Sequence, residues 1–217
     1  MEARGFYIRK EGSDGYQFGF KPTLKKVVND RRASLDEDEV TAEMKRIIQL
    51  EFEKGKNLPA PMMFPQDGTA VGDTTRLTLV VLDPAQEWTD NGKTRAEILE
   101  WSRQRGHSPR LHPATLIWCV RRPGRDLRTK VEAALAWRKV QREYLDGSLA
   151  GEFDQSDRDE ITAKRGDADE AAQDEVWAAY RYIVLSDNKD DSGLQAIDLG
   201  AGHASQGETL SAACSRL

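Results

Sequence analysis

The sequence predicts an α/β protein in two parts: an N-terminal β-hairpin with helices, forming a partial winged-helix-like unit, and then a small α/β domain with a long helical hairpin. Three patterns point there. Aromatic and β-branched residues bound the glycine-rich turn GSDG near the start. Two near-continuous apolar runs of strand length, RLTLVVLD (76–83) and ATLIWCV (114–120), flank a helical pattern. Residues 126–182 are dominated by helix formers carrying a repeating apolar stripe.

In chain order, GFYIRKE and YQFGF read as the arms of the hairpin. Pro22 suits a first helical turn, and Leu24, Val27 and Val28 recur behind it at helical spacing. Ser34 before the acidic LDEDE predicts the cap and first turn of a second helix, with Val40, Met44, Ile47 and Ile48 as its stripe and an end near Gly55. Residues 57–74, NLPAPMMFPQDGTAVGDT, show no period and are punctuated by proline and glycine, so they read as a linker or a surface-hugging loop.

The two apolar runs have the character of central strands covered on both faces. Between them TRAEILEWSRQRG predicts a helix, with Thr94 as its cap and Gly106 past its end. Leu127, Val131, Ala134, Trp137, Val140 and Tyr144 then step by three or four residues along one face. DGSLAG breaks that helix, and a second is expected from about Asp157 to Tyr180, with Gly166 the candidate interruption. The pair is expected to close as a hairpin through Leu127, Val131, Val140 and Tyr144 on one side and Ile161, Val176 and Tyr180 on the other. YRYIVLS and LQAIDLG end the pattern as short strands around DNKDDSG. The expected organisation is a unit over 1–56, a linker over 57–75, and an α/β domain over 76–217 with its helical hairpin over about 127–180.

At 217 residues the chain can bury a core without a disulfide or metal staple. Cys119 and Cys214 have neither the number nor the spacing of a disulfide framework or zinc site, so both read as reduced structural thiols. No apolar run approaches the roughly 18 residues a membrane span needs, and MEARGFYIRKEG lacks a secretory signal stretch. A cytoplasmic protein without a membrane partner is expected.

Several motifs resemble cofactor sites in part. AIDLGAG (196–202) matches the opening motif of Rossmann-like methyltransferases, but that motif belongs to the first strand of a sheet and only 15 residues follow Gly202. A strand, a glycine turn and a helix capped by Ser205 or Thr209 account for it. EWTDNGKT ends as a phosphate loop should, at Gly92, Lys93 and Thr94, while Glu87 stands in place of the first glycine and puts negative charge near the phosphates. LTLVVLD resembles the strand and terminal acid that hold magnesium in P-loop ATPases, yet Pro84 follows Asp83, as in a strand-end turn. His107, His112 and His203 lie in loops without a companion nucleophile. No catalytic set, metal site or cofactor is expected.

Charge is the remaining signal. The net charge of −5 argues against indiscriminate nucleic-acid binding, yet residues 102–130 carry +7, the rest of the chain −12, and residues 131–180 alone −7. Arg110, Arg121, Arg122, Arg125 and Arg128 are the candidate phosphate or nucleic-acid contacts, with RRPGR placing three guanidinium groups within five residues. The competing expectation is that these arginines pair with acids of the helical hairpin.

FGFKPTLKKVVNDRR, PATLIWCVRRPGRDLRTKVEAALAWRKVQ and YRYIVLSDNKDDSGLQAIDLGAGHASQGETL together resemble the C-terminal half of a family of large AAA+-like P-loop ATPases of unknown function, found in some phage-defence loci. The resemblance spans most of the chain and omits the ATP-binding motifs, which it places upstream. It implies that the opening hairpin is the wing of a winged-helix unit whose earlier helices precede Met1, and that the partner is an ATPase subunit or the ATPase region itself. The expected function is a non-catalytic accessory or interaction module of an ATPase system. The alternatives are a DNA-binding module using the basic stretch, or an ATPase with a degenerate phosphate loop at Gly92, Lys93 and Thr94.

Overall fold

In the computed structural model, which describes residues 8–11, 15–18, 23–54, 60–149, 153–187 and 193–200, β1 (Ile8–Glu11) and β2 (Gly15–Phe18) pair antiparallel with Ile8 opposite Phe18. These are the arms of the predicted hairpin. They are followed by α1 (Leu24–Ala33), α2 (Glu37–Glu53), β3 (Met62–Met63), β4 (Thr78–Val81), α3 (Lys93–Arg103), β5 (Gln104–Arg105), β6 (Ser108–Pro109), β7 (Leu116–Val120), α4 (Leu127–Asp146), α5 (Gln155–Ala179), β8 (Tyr182–Ser186) and β9 (Leu194–Asp198). The mixed α/β class expected from the sequence is the observed class.

Two compact units share these elements, and each is assembled from two stretches of chain: Met1–Glu43 with Arg128–Ala172, and Met44–Leu127 with Gln173–Leu217. The sequence reading divided the chain at 57–75 instead. Helices α2 and α5 each contribute residues to both units, a division that leaves no local mark in composition.

In the first unit, the Thr23 hydroxyl accepts the Lys26 N–H at 3.4 Å and caps α1. Pro22, expected in that first turn, lies outside the described residues. Leu24, Val27 and Val28 are buried with Ala136 and Val140 of α4, Ile161 of α5 and Leu149 between those helices. Tyr144 packs at the margin of this cluster, so Val140 and Tyr144 meet Ile161 as the hairpin reading requires, whereas Val176 and Tyr180 belong to the second unit. Ser34 closes α1 instead of opening α2. Its hydroxyl donates to the Arg31 carbonyl at 2.9 Å, and Asp36 accepts the Asp38 N–H at 2.8 Å as the cap of α2. Helix α5 runs through Gly166 without interruption, and nothing lies within 4 Å of where a Cβ would stand there.

In the second unit the sheet runs β3-β4-β7-β8-β9, with β3, β4 and β7 parallel and β8 and β9 antiparallel to their neighbours. Alternate side chains leave a strand on opposite faces. Val80, Leu82, Leu116, Trp118, Val120 and Val184 therefore share one face with Ile98 of α3, while Leu79, Val81, Ile117, Cys119 and Ile183 are buried on the other. Every residue of β7 is buried, as its unbroken apolar run predicts.

The stretch read as a linker supplies the edge strand β3, which pairs with Val80 and Val81, and the fully buried Val71. Two residues of pairing are too few to produce an alternating pattern, and prolines suit a sheet edge. Helix α3 begins at Lys93 behind Gly92, with no side-chain cap. Thr94, the expected cap, is buried within the first turn. Gly106 does lie past the helix end, at φ +63° in the tight β5–β6 turn. No helix among the described residues is long and apolar enough to cross a membrane.

Val140→Ala removes two methyl groups from the first unit's core and should cost about 1–3 kcal/mol in urea melts. Agreement with wild type within about 0.5 kcal/mol, ordinary surface scatter, would remove Val140 from the core. Gly166→Ala should act oppositely: an exposed helical glycine with open space around it gains about 0.5–1 kcal/mol on becoming alanine.

Candidate functional site

The basic stretch meets the sheet where β7 ends. Strand pairing continues one step past Val120, because Arg121 bridges in parallel to Glu87 and its carbonyl accepts the Trp88 N–H at 2.8 Å. The same two residues form an ion pair, Arg121 Nη2 to Glu87 Oε1. The loop between β4 and α3 is thereby fastened to the end of β7 by backbone and side chain together.

Gly124 at φ +73° then turns the chain in RRPGR, since Pro–Gly with positive φ at the glycine is the type II pattern. The turn sends the three guanidinium groups to different partners. Arg125 forms a two-pronged pair with Glu175 of α5, both N–O distances being 2.8 Å, and the Asp126 N–H adds a third bond at 3.1 Å to that buried carboxylate. Half-buried Arg122 forms no ion pair among the described residues; it faces the field of Asp198, whose carboxylate is bound by Arg181 at 2.9 Å. Burial acts to raise the Asp198 pKa, but the Gly200 N–H and the Arg181 guanidinium outweigh it and hold the group below its ordinary value. Arg128, in the first unit, is bound by Glu37 and Glu132, whose hydrogen bonds raise its pKa.

Arg110 lies apart from these and is almost fully buried. Its guanidinium donates to the carbonyls of Trp101 (2.5 Å), Gly72 (2.7 Å), Gly68 (2.7 Å) and Val71 (3.1 Å). Burial pushes its pKa down, and nearby Asp73 opposes the shift. Asp73 in turn accepts the N–H groups of Leu111 and His112, which holds it below the ordinary carboxylate range. Arg110 is a clamp on the loop 68–72. Its sequence context, a basic residue among loop residues, does not distinguish a clamp from a surface cation; three of the four carbonyls it binds lie 38–42 residues away.

The other candidates fall as follows. Lys93 is exposed and pairs with Glu97 at 3.3 Å, Thr94 is buried, and a Cβ on Gly92 would collide with Thr89. Asp83 ends β4 in a turn, accepting the Ala85 N–H at 2.9 Å and pairing with Lys45 of α2 at 2.7 Å. Strand β9, which carries AIDLG, is the antiparallel edge of the sheet and not a central parallel strand, so it lacks the setting of a methyltransferase motif. Asp198 there binds the Gly200 N–H and Arg181. His107 lies in the exposed β5–β6 turn, and His112 is half-buried beside Asp73. Gly202, His203, Ser205, Thr209 and Cys214 lie outside the described residues. Among the described residues no three His, Cys, Asp or Glu side chains gather as a metal site requires.

Glu87, Glu175 and Asp73 are the functional neighbours that sequence reasoning missed as partners. Charge balance indicated that acids would answer the arginines, but only the fold says which. Comparison of the chain with protein-family models, with curated proteins and with solved structures returns no match.

The Arg125–Glu175 pair predicts a contrast in thermal or urea unfolding. Arg125→Ala leaves a buried carboxylate with a single backbone donor and should cost about 1–3 kcal/mol. Arg122→Ala, with no ion pair to lose, should stay within about 0.5 kcal/mol of wild type. Equal effects would mean that Arg125 is not held by Glu175.

Proposed function

We propose that this chain is a non-catalytic accessory or interaction module, related to the C-terminal part of an AAA+-like ATPase and acting with an ATPase subunit or ATPase region. The observation that carries the reading is the Glu87–Arg121 pair. A phosphate loop works by leaving consecutive backbone N–H groups bare around the phosphates. Here the Trp88 N–H is bound to the Arg121 carbonyl, and the first glycine position holds a carboxylate already neutralised by a guanidinium. Such a loop braces a sheet and leaves no cradle for a triphosphate.

A DNA-binding alternative has one observation in its favour. Arg103, Arg105 and Arg122 form no ion pair among the described residues, so part of the +7 segment keeps its field. Arg121, Arg125 and Arg128 add little to it, since each is paired with a carboxylate, and the Arg110 guanidinium is buried against backbone carbonyls.

The purified chain should show no saturable Mg-ATP binding by calorimetry, and the open reading frame adjoining its gene should encode a Walker-bearing chain whose ATP turnover changes when this chain is added. Micromolar ATP binding that disappears in Lys93→Ala would sink the reading, as would unaltered turnover. DNA binding at about 50 mM salt, with a salt slope that shrinks by roughly 1 in Arg122→Ala, would establish the alternative instead.

A further inference from the structure

A small cavity of about 180 Å³ lies on the α3-bearing face of the second unit, where the end of β8 approaches the last turn of α3. Leu99, Ser102, Arg103, Pro113, Ser186 and Gly193 line it. Three of these present hydrogen-bond donors.

Ser186 follows Val184 by two positions on β8, so both side chains leave the sheet toward α3. Its Oγ is buried and has no hydrogen-bond partner among the described residues. Buried hydroxyls are normally satisfied, so an orphan in the wall of a cavity calls for a partner within it. Ser102 is 2% exposed, and its Oγ accepts the Trp118 indole N–H at 2.9 Å. That bond uses a lone pair and leaves the hydroxyl proton free to donate.

The third donor is Arg103, whose guanidinium has no ion pair among the described residues. Its Nη2 lies 2.9 Å from where a Cβ on Gly193 would stand, and Gly193 has φ +74°. The backbone conformation favours glycine there. The guanidinium is thus seated against the backbone at the cavity rim.

We propose that this cavity binds a small organic carboxylate. Among the described residues the side chains lining it include no carboxylate and no other acceptor-only group, so a ligand rich in acceptors complements them. The volume equals about six waters' share of the liquid, enough for a carboxylate on a short aliphatic chain. Leu99 and Pro113 supply the apolar wall for that chain, which a bare inorganic anion would leave unused. The C-terminal turn of α3 carries negative partial charge, and Arg103 reverses the local sign, so anion binding depends on that residue. The site is separate from the surfaces on which the accessory-module reading rests.

The test is a titration of the isotopically labelled chain followed by amide NMR, with butyrate, its neutral counterpart butyramide, and inorganic phosphate as probes. Butyrate should produce saturable shifts at the Ser186 and Gly193 amides, butyramide none that saturate, and phosphate weaker ones. Arg103→Gln and Ser186→Ala should each weaken butyrate at least about tenfold, the effect of losing a charge-assisted or buried hydrogen bond. Ser186→Ala removes an unsatisfied hydroxyl, so its melting temperature should match or exceed wild type, which separates lost binding from lost folding. Absence of saturation with butyrate, equal affinity in Arg103→Gln, or a preference for phosphate or butyramide would each overturn the assignment.

Discussion

The constraint on which the second unit depends is the double burial of β7. Leu116 to Val120 lie between a parallel neighbour and an antiparallel one, and none of the five is more than 1% exposed. A strand in that position must be apolar on both faces and has both backbone edges paired, so polarity can return only where it ends. Arg121 is that return. Its placement follows from the strand, and from it follow the bracing of the β4–α3 loop through Glu87, the Pro–Gly turn at Gly124 and the start of α4 at Leu127.

A second constraint is the handling of charge. The chain concentrates cations in one segment and acids elsewhere, and folding answers one with the other. Arg125 and Glu175 sit 50 residues apart and meet with near-ideal fork geometry; Arg128 takes acids from α2 and α4. Arg110 shows the same demand met by hydrogen bonds to backbone, since a guanidinium carries five donors and here satisfies four backbone carbonyls. A buried lysine could not reach that geometry. A basic run in sequence is therefore not equivalent to a basic surface.

Legibility followed the range of the interaction. The hairpin, α4, α5 and the strands β4, β7, β8 and β9 were readable because periodicity and turn residues act within a few positions. Ser34 was misassigned as the cap of α2 because the same residue types close one helix and open the next, and Asp36, two residues on, had the equivalent chemistry. The strand β3 and the buried Val71 were hidden in a proline-rich stretch whose order comes from β4 and Arg110, not from itself. At the candidate sites, residue types were legible and partners were not: Glu87 was visible as the wrong residue for a phosphate loop, while its pairing with Arg121 required the sheet. Ser186 and Gly193 gave no signal at all, because one hydroxyl and one glycine near a turn are ordinary in sequence and acquire meaning only beside Ser102 and Arg103.

The core of the first unit joins Leu24, Val27 and Val28 to Val140 and Ile161, partners separated by more than a hundred residues of intervening chain. On a ribosome, α1 therefore emerges long before the side chains that cover it exist. At about 5–20 residues per second, the interval between Leu24 and Ile161 is on the order of ten seconds. During that time an apolar stripe beside four basic residues, Lys25, Lys26, Arg31 and Arg32, has no native cover, the profile of a segment that holdase chaperones recognise. The biogenesis of this protein should accordingly be more sensitive to translation rate and chaperone supply than its size alone implies.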